Sequence, residues 1–250
     1  MGYTKSSNPV LSEKIFSATR SESYSETMTV NGTINKIGLL LFFLVAAASY
    51  TWGLYNEAMD SSVVLPWLIG GAIVGLILAL VTTFKPVWSP YTAPFYALAE
   101  GIMLGGLSAM MNASYPGIVI QAVGLTFATL FAMLFAYKTG LIKVTEKFKM
   151  GVVAATGGIF IFYMLNWILG MFGIGFNFAN DSSLLSIGIS LFVVVIAALN
   201  LVLDFDFIEK GEQSGAPKYM EWYGAFGLMV TLVWLYVELL RLLSKLARRN

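Results

Sequence analysis

The chain contains no cysteine and no histidine. The first absence excludes disulfides, thiolate metal sites, cysteine nucleophiles and thiol redox sensing. The second removes the usual general base and the commonest metal ligand, so any proton-dependent behaviour near neutrality has to come from carboxylates or lysines in unusual surroundings. Charge is scarce too: 12% of the 250 residues are charged, against about 25% in soluble domains. The formal net charge of +1 gives nucleic acid no electrostatic support as a partner. No phosphate-cradling glycine loop, dinucleotide fingerprint or metal-hydrolase signature is present, which argues against an ATP-driven pump. Gly106-Leu107-Ser108 faintly suggests a serine-nucleophile turn, but no histidine exists to activate Ser108. Neither an enzyme nor a bound cofactor is expected.

What the chain has in abundance is apolar surface, 58% of its residues. A helix crossing a bilayer needs about 20 mostly apolar residues, because in lipid only intrahelical bonding satisfies the backbone. Segments of that kind are Ile34–Tyr55, Val63–Phe84, Tyr91–Met111, Ile118–Tyr137, Met150–Phe172, Leu184–Leu203 and Tyr223–Leu243. Turn chemistry separates them, as in Lys85-Pro86 to Ser89-Pro90, Asn112 to Gly117 and Gly211 to Pro217. The expectation is an all-α polytopic membrane protein, a bundle of seven transmembrane helices over residues 34–250. Residues 1–33 are polar and Ser-rich and are expected to form a weakly structured cytoplasmic tail. Gly71 and Gly75, and Gly101 and Gly105, have the spacing that lets helix backbones approach closely.

Lysine placement predicts orientation. Lys5, Lys14, Arg20, Lys36, Lys85, Lys138, Lys143, Lys147, Lys149, Lys210 and Lys218 flank alternate ends of the spans, whereas Asn56–Ser62, Asn112–Pro116 and Gly173–Ser183 contain no Lys or Arg. The N-terminus and the basic loops are therefore expected to face the cytoplasm. Arg241, Lys245, Arg248 and Arg249 conflict with seven full crossings. Either the last segment is re-entrant or tilted, or the eleven other cationic residues outweigh it.

Ionisable groups inside spans cost roughly 2.5–3.5 kcal/mol each at the helix centre on insertion scales, so they need a partner, a polar cavity or a proton. Glu100 lies mid-span in TAPFYALAEGIMLGG, far from any other charge in sequence. Asp204 ends the sixth span in AALNLVLDFDF, with Asn200 one turn earlier on the same face, while Asp206 and Lys210 resemble an interfacial helix end. Glu238 lies in TLVWLYVELLRLL with Arg241 within reach along the helix.

The strings MTVNGTINKIG, APFYALAEGIMLGGLS, LNLVLDF and EWYGAFGLMVTLVWLYVELLRLL resemble the transmembrane Bax inhibitor motif family, most closely its bacterial YccA-like members. The resemblance covers nearly all of the chain from Met28. It implies a seven-helix fold with a central C-terminal helix, in a bacterial cytoplasmic membrane. It also implies a pH-sensitive calcium leak in which two acids on the last two helices share a proton: protonation closes the leak and ionisation opens it. The matching acids are Asp204 and Glu238, which would form the pH sensor and gate and, when ionised, offer calcium hard oxygen ligands. A basic residue engaging the pair falls near Lys85. Glu100, Asn200, Asp206 and Arg241 are expected to line or support the ion path. Glu238 departs from the family's usual Asp. If the last helix starts at Tyr219, a contact also needs the sixth helix to continue past Asp204 and the seventh to begin late or bend. The alternative is a non-conducting membrane protein that regulates a partner such as a membrane protease.

Overall fold

The computed structural model describes residues 27–173 and 181–249. Helix dominates these residues, which hold seven long helices: α1 (Val30–Ala58), α2 (Ser61–Phe84), α3 (Ser89–Ser114), α4 (Ile118–Lys138), α5 (Glu146–Met171), α6 (Leu184–Gln213) and α7 (Met220–Arg249). A 3-10 turn, Pro86–Trp88, links α2 to α3. Side-chain caps start several of them. Thr29 accepts from the Gly32 amide at 2.9 Å, Asp60 from Ser62 at 2.8 Å, Thr145 from Phe148 at 3.2 Å and Ser183 from Ser186 at 3.2 Å.

Six of the helices are long and apolar enough to cross a membrane. The exception is α3, which carries Pro90, Pro94, Thr92 and Glu100. It lies against α1 and α2, with Tyr96, Ala97 and Leu104 buried, so protein and not lipid surrounds much of its length. Small residues make that enclosure tight. A Cβ on Gly71 would stand 2.7 Å from the Ala99 carbonyl oxygen, and one on Gly101 or Gly105 would collide with the Leu44 or Ala48 carbonyl of α1.

The last helix is the most buried, and it packs against α1, α3, α4 and α6. Leu40, Tyr96, Phe226 and Met229 form part of one apolar cluster beside it, and Leu201, Leu232 and Leu235 part of another. Outward-facing residues such as Phe42, Leu76, Phe131 and Trp167 are exposed, the inverse of a soluble surface.

One sequence expectation is revised, and one of the alternatives for the last segment is removed. The expected tail boundary at residue 33 is too late, because α1 begins at Val30; Thr27 also bridges Pro217, and the Met28 amide donates to Ala216 O at 2.8 Å. The part of the tail before residue 27 lies outside the described residues. The last segment is not re-entrant. It runs unbroken from Met220 to the far end, where Arg248 Nε donates to Tyr115 Oη at 2.6 Å.

Candidate functional site

The sixth helix continues past Asp204 to Gln213, as a meeting of the two acids requires. Helix α7 nonetheless begins at Met220, so the residues facing Asp204 are Gly227 and Thr231 rather than Glu238. Glu238 lies seven positions beyond Thr231, about 10 Å along the axis at 1.5 Å per residue. The two acids expected to form one pair therefore do not meet here and offer no joint set of calcium ligands. Leu201, Leu232 and Leu235 fill the level between them.

Asp204 lies at the side of a cavity of about 510 Å³, whose lining includes Thr83, Lys149, Asn200, Asp206, Lys210 and Tyr223. It is half-buried, and its Oδ2 is shut off from solvent without a hydrogen-bond partner. No Lys or Arg nitrogen forms an ion pair with it among the described residues. The Thr231 hydroxyl beside it donates to Gly227 O at 3.3 Å. Asn200 donates through Nδ2 to Thr156 Oγ1 and Ile196 O, both at 2.8 Å, which fixes one wall. Asp206 is occupied by Lys210, 2.7 Å away.

Glu238 belongs to a second cluster. Its Oε1 accepts from Arg241 Nη1 at 2.7 Å and from Tyr163 Oη at 3.0 Å, and Arg241 also donates to Tyr163 Oη at 2.9 Å. One turn further, fully buried Lys245 donates to Ser186 Oγ at 2.8 Å and Ser190 Oγ at 2.9 Å. These contacts account for two of the cations that opposed the orientation rule: they are drawn into the bundle.

Glu100 is buried on α3, one turn after Tyr96, with Oε2 unpartnered. Gly75 makes room for it, since a Cβ there would stand 2.7 Å from Glu100 Oε1. Lys85 caps α2, is exposed and engages neither Asp204 nor Glu238, because the chain turns away at Pro86. Among the described residues no group of three or more acids is arranged to hold a metal ion.

Sequence reasoning missed Glu221. It is fully buried and accepts from Lys36 Nζ at 2.5 Å, the Thr29 amide at 2.9 Å and Thr29 Oγ1 at 3.0 Å, with Lys218 3.1 Å away. The available signal was an acid three residues after Lys218 and at the same membrane level as Lys36 from the far end of the chain. Tyr163, Ser186 and Ser190 carried no such signal, because their role depends on how α5 and α6 are rotated.

Helices clad in apolar side chains, enclosing acids and their partners, define a multi-pass integral membrane protein. The family model described as Bax inhibitor 1 like matches residues 8–248, and the chain belongs to that family. Neither the curated proteins nor the solved structures yield a match.

Proposed function

We propose that the protein is a pH-sensitive cation leak, with calcium among the permeant ions, in a bacterial cytoplasmic membrane. On this reading α3 is the seventh crossing, and the lysine-rich end, where the N-terminal segment joins α1, faces the cytoplasm. The observation that carries the reading is Asp204, a carboxyl beside a cavity of about 510 Å³ with no cation paired to it. A structural carboxylate in a bundle is normally neutralised, as Glu221 and Glu238 are here. Asp204 instead presents an oxygen whose charge depends on a proton. Ionised, it offers a hard ligand to a cation entering the cavity; protonated, it leaves a neutral group against the Leu201–Leu232–Leu235 layer.

The arrangement corresponds to a closed state. The apolar layer interrupts the path beyond Asp204, and Arg241 and Lys245 place positive charge in the outer half. Glu238 is then a second station, reached when the layer parts and the grip of Arg241 and Tyr163 loosens. The test is calcium influx into dye-loaded liposomes containing purified protein, with Asp204→Asn, Glu238→Gln and Glu100→Gln compared with the parent. Asp204→Asn is expected to abolish the pH dependence. Flux and pH response unchanged in both Asp204→Asn and Glu238→Gln would overturn the assignment. Absence of flux from folded protein would shift the function to the regulation of a membrane partner.

A further inference from the structure

Helices α1 and α4 both pack on α7 but make no extended contact with each other. The gap between them is a groove of about 310 Å³, separate from the Asp204 cavity, at the lower end of the roughly 300–1,000 Å³ typical of ligand sites. Its walls are almost wholly hydrocarbon, with Ile37 on one side, Leu134 on the other and Phe205 of α6 behind. Ile34 and Phe131 at its edges are 55% and 63% exposed, so the groove opens sideways to the bilayer. Its floor includes Leu228 of α7, which is only 3% exposed. A molecule seated here touches Leu228, a buried residue of the central helix.

The mouth of the groove is polar and lies at the lysine-rich end. Tyr137 donates to Glu209 Oε2 at 2.5 Å, while Lys138 Nζ stands 3.7 Å from Glu209 Oε1 and is 56% exposed. At that distance the ammonium retains donors for another acceptor. Exposed Lys143 and Lys147 follow at the same end.

We infer that the groove between α1 and α4 binds one acyl chain of an anionic phospholipid, with the lipid phosphate beside Lys138. The dry, narrow walls select hydrocarbon, and the basic mouth at the membrane surface selects a negative headgroup over a zwitterionic one. Glu209 balances Lys138 at the mouth, so the net positive charge that favours a negative headgroup comes from the exposed Lys143 and Lys147 that follow at this end.

The test uses full-length protein in vesicles of mixed phosphatidylglycerol and phosphatidylcholine. One lipid or the other carries a photoreactive diazirine at mid-chain, and adducts are mapped by peptide mass spectrometry. The phosphatidylglycerol probe is expected to label Ile37, Leu134 and Leu228 more than the lipid-facing Phe160 and Trp167 of α5. Lys138→Gln is expected to lower groove labelling about fivefold, the loss of one interfacial cation. Leu134→Trp, which fills the groove, should remove it while sparing α5. Labelling of Leu228 no stronger than that of Phe160 would overturn the site. Equal groove labelling by the two probes would overturn the anionic assignment. Should Leu134→Trp not fold, the parent map and Lys138→Gln still decide.

Discussion

Glu221, Glu238, Asp204 and Glu100 are four carboxyls inside one bundle, and their neighbours assign them different work. Glu221 and Glu238 are neutralised by cations at 2.5 Å and 2.7 Å, so they serve as fasteners. Asp204 and Glu100 each keep an unpartnered oxygen and no paired cation, and the proposed function makes Asp204 the group that a proton controls. Removing the charge of Glu238 leaves Arg241 partly enclosed and unpaired; breaking such a pair costs about 3–5 kcal/mol. Glu238→Gln is accordingly expected to lower the melting temperature in detergent, and adding Arg241→Met should recover part of the loss. The aqueous acids behave differently. The Ser62 hydroxyl, then the Ser62 amide, hold Asp60 below the usual carboxylate range, and Ser183 does the same for Asp181. A carboxyl lowered in this way stabilises the fold fully above its ordinary range, and loses that effect only as pH falls through the lowered value. Asp60→Asn and Asp181→Asn are therefore expected to leave the pH dependence of calcium flux near neutrality unchanged, measured in the same liposomes.

At the scale of elements, hydropathy and turn chemistry made the helices legible, because lipid imposes length and apolarity directly. Their ends were less so. The sixth helix runs ten residues beyond the expected Leu203, to Gln213, because Asp206, Glu209 and Lys210 continue its backbone into the interface instead of ending it. The glycine pairs were also legible, since close approach needs small residues at that spacing. Gly105→Leu is expected to force α1 from α3 and cost about 1–3 kcal/mol or more, seen as reduced yield of monodisperse protein. The Glu221 knot joins the start of α1 to the start of α7, and Gly32 belongs to it, because any side chain there would strike the Glu221 carboxylate. Glu221→Ala is expected to free residues 27–30. Limited proteolysis should then cut at this junction faster than in the parent, and an unchanged cleavage pattern would show that the knot is dispensable.

For the whole molecule, the proposed mechanism turns on the relative depth of Asp204 and Glu238, and a linear sequence carries that least well. Both acids were identifiable as charges in apolar spans. Whether they meet depends on the vertical register of α6 against α7, which is set by the turn at 214–219, the start of α7 at Met220 and the contact of Gly227 with Asp204. In this register the bundle has a cavity at its basic end, an apolar layer in the middle and a cluster of Glu238, Arg241, Tyr163 and Lys245 beyond. On the proposed reading, Asp204 senses protons from the basic end without first separating from Glu238. The most direct measurement is calcium flux through the purified protein in liposomes, with pH varied only on the side facing the basic end. Flux that rises with pH on that side, and becomes pH-independent in Asp204→Asn, is the expected result. A pH response that persists in Asp204→Asn, or that follows only the opposite side, would contradict the account.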